Sequence, residues 1–577
     1  MAIAGSRIAV RALEDAGVPY TFGIPGTHNI ELYDALAESA TVKPILVTDE
    51  QGASFMADGV WRASGRLGCV NVVPGAGLTH AMSGIAEAWM DTIPLLVLGC
   101  GVRTDTGHGY QLHDVDQMAM VAPVTKAQLR PESGEEIYPT LRKACRLAQE
   151  GVPSPVYVEI PANLYLFTHD VNLERQRAAF EGTRPYRKPP DPETIERVVG
   201  LLRAAERPLL YLGLGALRAA DHLVALAERL EAPVATTFQG KGVFPEDHPL
   251  ALWPGFGDAA PKFAREVAAG SDVVLAIGCR FGEVGTGSYG LELPGPLIHV
   301  DIDPAVLGRN YEPREAVNAD SALVVEALLD GVRPKAVDSG LRARIAAGHA
   351  AVDGERAGGS EDRVSPFKLI RAIHKRLGPD TIFTADSGNG TFLAMETLRL
   401  PGPRRFLAPV DYSCMGYSVP AAVGASLAAP DSPVVALAGD GAFLMTGLEA
   451  LTAAHYDVPV AIFVLRDEEL AQISQFQETA LSRKTASKVH DYHLAGLASG
   501  MGIDCHALDT DGEIPAVLDA VSSALDAGRP VLVDVAIDYS RKTYFTRGVV
   551  KTNLMRLPWK DRLRFIGRAV GRKVFGA

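Results

Sequence analysis

Short runs of β-branched and other apolar residues alternate along this chain with longer stretches whose apolar positions recur at helical spacing. From Arg7 to about Phe167 the pattern predicts an opening helix and then strands over Tyr20–Ile24, Lys43–Thr48, Gly68–Val73 and Pro94–Leu98. Helices over His28–Glu38, Gln51–Ser64 and Thr79–Asp91 separate them. Strand and helix in regular turn predict a parallel sheet covered by helices on both faces. Glu174–Glu193, rich in charge and proline, reads as a first linker. The alternation resumes from Arg207 to about Asp330, with strands near Leu209–Leu212, Val234–Thr237, Val273–Ile277 and Leu297–Val300. A second polar stretch, Pro334–Asp362, follows, and a third block runs from Pro366 to Ile537. The expected architecture is α/β: three doubly wound parallel-sheet domains over 1–172, 190–333 and 364–540, and a tail over 541–577.

Length agrees with this division, because 577 residues exceed what one core supports. A hydrophobic content of 47% with 22% charged residues is that of a globular protein. The first turns carry Arg7, Arg11, Glu14 and Asp15 in an amphipathic pattern, which is neither a signal peptide nor a membrane span. The longest uncharged stretch, around Leu67–Ala86, is broken by Gly, Pro and Asn, so no transmembrane helix is expected. Six scattered cysteines show neither paired metal spacing nor a disulfide framework, which fits a reduced, cytoplasmic setting.

Charge changes the picture at one end. The net charge is −13, yet Arg541–Ala577 holds four Lys and seven Arg against one Asp, so the first 540 residues carry −23. Such a body repels nucleic acid. In the tail Trp559, Leu563, Ile566, Val570 and Val574 recur at helical spacing after Pro558, with Arg562, Arg564, Arg568, Arg572 and Lys573 between them. This predicts a basic amphipathic helix. The preferred reading is a lid or interface element docked on the acidic body of its own oligomer; the other is contact with an anionic membrane surface.

The chemistry concentrates at Gly439-Asp440-Gly441, which ends the apolar run Pro433–Ala438, and at Asp467, 27 residues after Asp440. Between them Phe443–His455 has helical spacing through Leu444, Leu448 and Leu451, and Val458–Leu465 is a second strand-like run. If the two strands are parallel, both acids stand at carboxyl ends, where open α/β sheets bind ligands. Two carboxylates there suit a hard cation bridging to a phosphate. A ligand-free tight turn is the alternative.

Four separated segments sharpen this. They are Phe22-Gly23-Ile24-Pro25-Gly26, Asp49-Glu50-Gln51-Gly52-Ala53, Met415-Gly416-Tyr417-Ser418-Val419-Pro420-Ala421-Ala422 and the Gly439-Asp440-Gly441 unit. On them the chain resembles the thiamine diphosphate-dependent enzymes of the acetolactate synthase and 2-oxo acid decarboxylase superfamily, up to about Asp538. The resemblance implies a pyrimidine-binding first domain, a middle domain, and a third domain that binds diphosphate and magnesium. It also implies a homodimer or homotetramer, since in that superfamily the two contacting domains come from different subunits.

Residue by residue, the resemblance implies magnesium held by Asp440, Asp467 and the backbone carbonyl of Glu469, with Gly439 beside them and the N–H groups of Gly441 and Ala442 meeting the diphosphate. The family usually has Asn where this chain has Asp467, and another Asn where it has Arg466. Arg466 is therefore expected to balance the added charge. Glu50 corresponds to the Glu that hydrogen-bonds the cofactor's aminopyrimidine ring and promotes proton removal from its thiazolium. Met415 corresponds to the bulky residue that supports the bent cofactor, and Ser413 joins the expected cofactor contacts. Gly388, Asn389 and Gly390 lie in the other diphosphate loop, where acetolactate synthases usually have Gln-His in place of Asn389-Gly390.

The reaction itself is less constrained. His28 stands where benzaldehyde lyase and some 2-oxo acid decarboxylases place a His able to shuttle a proton, and Gln111 matches a Gln that many carboligases direct at the reacting carbonyl. His80, His108 and His113 are candidates to support the site residues from behind, with a purely structural role preferred. Gln475-Phe476-Gln477 replaces a Trp between two Gln in biosynthetic enzymes, which argues against a dedicated branched-chain role. The middle-domain segments Gly213-Leu214-Gly215-Ala216 and Pro254-Gly255-Phe256-Gly257 are weak support for FAD, so thiamine diphosphate and Mg2+ are the expected cofactors and FAD stays a less favoured third. The expected activity is decarboxylation of a 2-oxo acid with carboligation to a second carbonyl, on small-molecule 2-oxo acid or aldehyde substrates. The alternatives are a non-ligating decarboxylase or C–C lyase and a catalytically silent cofactor-binding paralogue.

Overall fold

The computed structural model describes residues 2–360, 362–556 and 558–575, leaving aside the side chains at 549, 550, 553, 566 and 569–575. It contains three six-stranded parallel sheets flanked by helices. In the first, the strand order is Lys43–Leu46, Tyr20–Gly23, Gly68–Val72, Leu95–Gly101, Pro155–Pro161, Ala127–Leu129. In the third it is Phe406–Leu407, Ile382–Ala385, Val434–Gly439, Ala461–Arg466, Val531–Ala536, Asp504–Leu508. Both sheets therefore grow first to one side of their opening strand and then to the other. The central strands are buried on both faces, as their unbroken apolar runs require.

The middle sheet runs Ala251–Pro254, Val234–Thr236, Pro208–Leu212, Val273–Ile277, Leu297–Asp301, Glu315–Asn318. Its two edge strands were not expected: Ala251–Pro254 is apolar and buried but short, and Glu315–Asn318 is polar at both ends. Both polar stretches read as linkers contain helices. Leu173–Phe180 starts where Asn172 accepts from Arg175 N–H at 3.0 Å, and its Arg177 reaches back to Asp15 at 2.8 Å. Ser339–Arg356 starts where Asp338 accepts from Leu341 N–H at 2.9 Å and buries Leu341, Ile345 and Val352 in the middle-domain core. A cap and three spaced apolar residues outweigh the polar composition of that segment.

The first and third domains share one core through the helices Glu50–Ser64 and Ser418–Ala428. A Cβ on Gly59 would stand 2.3 Å from the Ala421 carbonyl oxygen, and one on Gly424 would stand 2.0 Å from that of Met56. Glycine at both crossing positions is what lets the backbones touch. Beside this crossing buried Arg62 lies between Asp58 (2.6 Å) and Asp91 (2.8 Å), and Tyr417 donates to Asp58 at 2.5 Å. Gly59→Ala is expected to force the helices apart and cost about 1–3 kcal/mol, read as a lower thermal midpoint with unchanged secondary structure.

The tail forms two helices, Tyr544–Arg556 and Trp559–Phe575. The first bridges the middle and third domains: Phe545 stacks on Phe392 with ring centroids 4.2 Å apart, Gly548 lies over Ala259, and Lys551 pairs with Asp258 at 3.0 Å. The second packs against Ala471–Leu481, with Trp559 and Leu563 exposed. The expected stripe positions Ile566, Val570 and Val574 have side chains outside the described residues. Among the described residues no helix is long and apolar enough to cross a membrane.

Candidate active site

In the third domain the chain adds Phe406–Leu407 on one side of Ile382–Ala385 and then crosses to Val434–Gly439 on the other. This reversal opens a crevice at the carboxyl ends of the two central strands. Asp386 follows one strand and Asp440 the other. Buried Asp386 accepts from the N–H groups of Ser387 (3.0 Å), Gly416 (2.8 Å) and Ser418 (2.9 Å) and from the Ser418 hydroxyl (2.9 Å). Burial pushes its carboxyl up to about 6. One side chain thereby ties the loop 386–390 to the segment 413–418, and the Ser387 and Ser413 hydroxyls complete the tie at 2.8 Å. Gly388 has a φ of +131° and open space where a Cβ would stand. The helix Asn389–Thr397 follows with no side chain capping its first N–H groups, an end suited to an anion.

Asp440 and Asp467 follow adjacent parallel strands, in which Gly439 lies opposite Leu465. Asp440 accepts from the N–H groups of Gly441 and Glu468, both at 2.7 Å. Burial pushes the Asp440 carboxyl up; burial and then the Asp440 charge push Asp467 up to about 7. Two carboxylates that oppose each other's ionisation make an oxygen donor set for a hard divalent cation. Open space also surrounds a Cβ position at Gly439, while Ala442 is buried in the first turn of the short helix Asp440–Thr446. Half-buried Met415 brings its Cε within 3.6 Å of a Cβ position at Gly441. These residues fit a magnesium-bound diphosphate.

One expectation needs correction. Arg466 does not balance Asp467: its Nε donates to Asp534 at 2.8 Å and its Nη1 lies 3.6 Å from Glu468. Consecutive residues leave a strand on opposite faces, and that carries Arg466 away from its neighbour. The Gly441 N–H, expected at a diphosphate, here donates to Asp440. The Glu469 carboxylate is held by Lys484 at 2.6 Å, which leaves only its backbone for a metal.

In the first domain Glu50 opens the helix Glu50–Ser64, and Asp49 caps it by accepting from Gln51 N–H at 2.8 Å. Glu50 is only 6% exposed, with its Oε2 3.4 Å from His80 Nδ1. Glu449 of the third domain accepts from the N–H groups of Thr48 (3.2 Å) and Asp49 (3.1 Å) and so fixes this helix start. His28 meets His113 edge-on with ring centroids 5.5 Å apart, and burial followed by the His113 charge pushes the His28 pKa down. Gln111 lies in the same loop as His113, its amide donating to the Arg103 carbonyl at 2.8 Å. His80 and His113 thus stand beside Glu50 and His28, while His108 is exposed.

The three blocks match three family models in order: the thiamine pyrophosphate enzyme N-terminal TPP binding domain over residues 3–120, the central domain over 195–328 and the C-terminal TPP binding domain over 386–535. The chain is 31% identical over 552 residues to a probable acetolactate synthase large subunit of Methanocaldococcus jannaschii, covering 92% of each. The chain belongs to the thiamine diphosphate-dependent enzyme family. It is also 34% identical over 478 residues to a probable 2-ketoarginine decarboxylase of Pseudomonas aeruginosa, covering 80% of this chain and 82% of that one. To the acetolactate synthase isozyme 1 large subunit of Escherichia coli it is 28% identical over 545 residues, covering 94% and 95%.

In the middle domain of this thiamine diphosphate-dependent enzyme, both glycine motifs contain packing contacts. A Cβ on Gly213 would stand 2.0 Å from the Gly278 carbonyl oxygen, so this glycine serves the contact of two loops. Phe256, in the second motif, is buried edge-on against Tyr211 at 5.1 Å. The cavity at this sheet's carboxyl edge, lined by Leu214, Gly215, Gly278, Asp301 and Asp320, measures about 270 Å³. Two residues that position these segments carry no local sequence signal: Asp386 ties its loop to the segment 413–418, and Glu449 reaches the start of the Glu50 helix only through folding.

Proposed function

We propose that the protein decarboxylates a 2-oxo acid with thiamine diphosphate and Mg2+ and joins the acyl unit to a second carbonyl compound, as an acetolactate synthase-like carboligase. The observation that carries this reading is the pair Asp440 and Asp467 at the switch point of the third sheet, in a chain that covers nearly the full length of acetolactate synthase large subunits. When bound, the cofactor supplies a nucleophilic carbon and an electron sink. Asp440, Asp467 and the Glu469 carbonyl hold the metal, and Gly388, Asn389 and Gly390 with Ser413 line the diphosphate. Met415 supports the cofactor from the segment that Asp386 anchors.

Glu50 holds and passes the proton that activates the cofactor, from its place at the opening of its helix. His28, kept neutral by burial and by His113, exchanges a proton with the oxygen of the reacting carbonyl. Gln111 reaches that carbonyl by leaving the Arg103 carbonyl it now binds. The partner is a second copy of the chain. Leu444, Leu448 and Leu451, spaced as one helical stripe, are 44%, 60% and 44% exposed in a single chain, and a homodimer or homotetramer would cover them.

A second reading is a decarboxylase that ends by protonation, favoured by the His28 and His113 pair and by the similarity to the 2-ketoarginine decarboxylase. NMR product analysis separates the two. Incubation with pyruvate, and with pyruvate plus a second 2-oxo acid or aldehyde, is expected to give acetolactate-type or acyloin products. Aldehyde and carbon dioxide alone select the decarboxylase. Cofactor binding with no turnover on any 2-oxo acid, including one with a cationic side chain, would refute both.

A further inference from the structure

We propose that the Tyr539 hydroxyl donates a hydrogen bond to the diphosphate of the bound cofactor, filling the side-chain space left by Gly390 at the start of the helix Asn389–Thr397. This rests on the reading that Asp440 and Asp467 clamp a magnesium diphosphate. Such a ligand brings further negative oxygens to a crevice that already holds two acids, and one divalent cation does not satisfy them all. The nearby cationic side chains are bonded to other protein groups, so that Arg363 and Arg466 act on Asp467 and Asp440 only through their field. Arg466 is on Asp534, Lys484 is on Glu469, and Arg363 donates to the Ile537 carbonyl at 3.1 Å. Neutral donors must supply the remainder.

Tyr539 is placed for this by its neighbours. It follows the strand Val531–Ala536, which pairs with Ala461–Arg466, and the Ile537 N–H donates to the Arg466 carbonyl at 3.2 Å. Gln475 holds the Tyr539 carbonyl at 3.1 Å. The phenol oxygen then stands 3.8 Å from where a Cβ at Gly390 would be, with Leu465 Cδ1 3.3 Å from the same point. Glycine at 390 therefore leaves room for a hydroxyl that arrives from 149 residues away in the chain. A phenol keeps its proton at neutral pH and so acts as a donor there.

The test uses full-length protein freed of cofactor by chelation and dialysis, in wild-type and Tyr539→Phe forms. Each is titrated with thiamine diphosphate at fixed Mg2+, and separately with thiamine, which lacks phosphate, by isothermal calorimetry. A lost hydrogen bond to a charged oxygen is expected to weaken thiamine diphosphate about ten- to a hundredfold and to leave thiamine within about twofold, with an unchanged thermal midpoint. Thiamine diphosphate affinity within about twofold of wild type overturns the inference, as does an equal loss for both ligands, which would mark a merely structural role. Failure of the wild-type protein to bind thiamine diphosphate at all would instead sink the clamp reading, and the inference with it.

Discussion

Glu50→Gln is expected to keep the fold and the affinity for thiamine diphosphate while lowering turnover by about 10²- to 10⁴-fold, the range of a single acid–base group. Gln has the same shape, so the packing against Gly77, whose Cβ position lies 2.9 Å from Glu50 Oε1, and the neighbourhood of His80 at 3.4 Å survive. The Asp49 cap and the Glu449 contacts involve backbone groups that the substitution does not touch. What disappears is a group able to hold and release a proton. Loss of the charge at the first helical turn costs about 0.3–1 kcal/mol at most, too little to mimic a catalytic loss. Circular dichroism melting, a cofactor titration and steady-state turnover on one preparation distinguish the cases. Wild-type turnover in this variant would remove Glu50 from the mechanism.

Much of this arrangement was legible because parallel strands buried on both faces read as unbroken apolar runs. Pro433–Ala438 and Val458–Leu465 predicted adjacent strands, and the structure pairs Val434–Gly439 with Ala461–Arg466. The helix between them was legible only in part. Leu444, Leu448 and Leu451 suggested one continuous helix, whereas the chain breaks it at Gly447 and leaves those leucines outward. Periodicity reports that a face is apolar and not what covers it. Pairings across the sheet left no local trace. Arg466 finds Asp534 because the two strands are neighbours, and Glu449 reaches Asp49 across 400 positions. Ser339–Arg356 was lost to its polar composition, although Leu341, Ile345 and Val352 were there to be read.

Asp440→Asn is expected to weaken magnesium-dependent binding of thiamine diphosphate by at least about 100-fold, beyond the 10–100-fold typical of groups that only support a metal ligand. The same change should make the cofactor-free protein more stable, because it removes the charge that opposes ionisation of Asp467. The sign follows from proton binding. Asp467 in the folded, cofactor-free protein keeps its proton up to about pH 7, while the unfolded chain releases it near 3.8. Between those values the folded state binds more protons, so this group makes stability fall as pH rises. Asp467→Asn should therefore melt higher than wild type at about pH 8 and like it at about pH 4. It should also retain cofactor binding, because an amide oxygen still serves a hard cation. The two variants thus share a stabilised cofactor-free state and diverge in affinity. Melting curves across pH, with and without Mg2+ and cofactor, read both effects at once. If wild type and Asp467→Asn keep the same pH slope without cofactor, the two carboxylates do not share a field and the clamp reading loses its electrostatic basis.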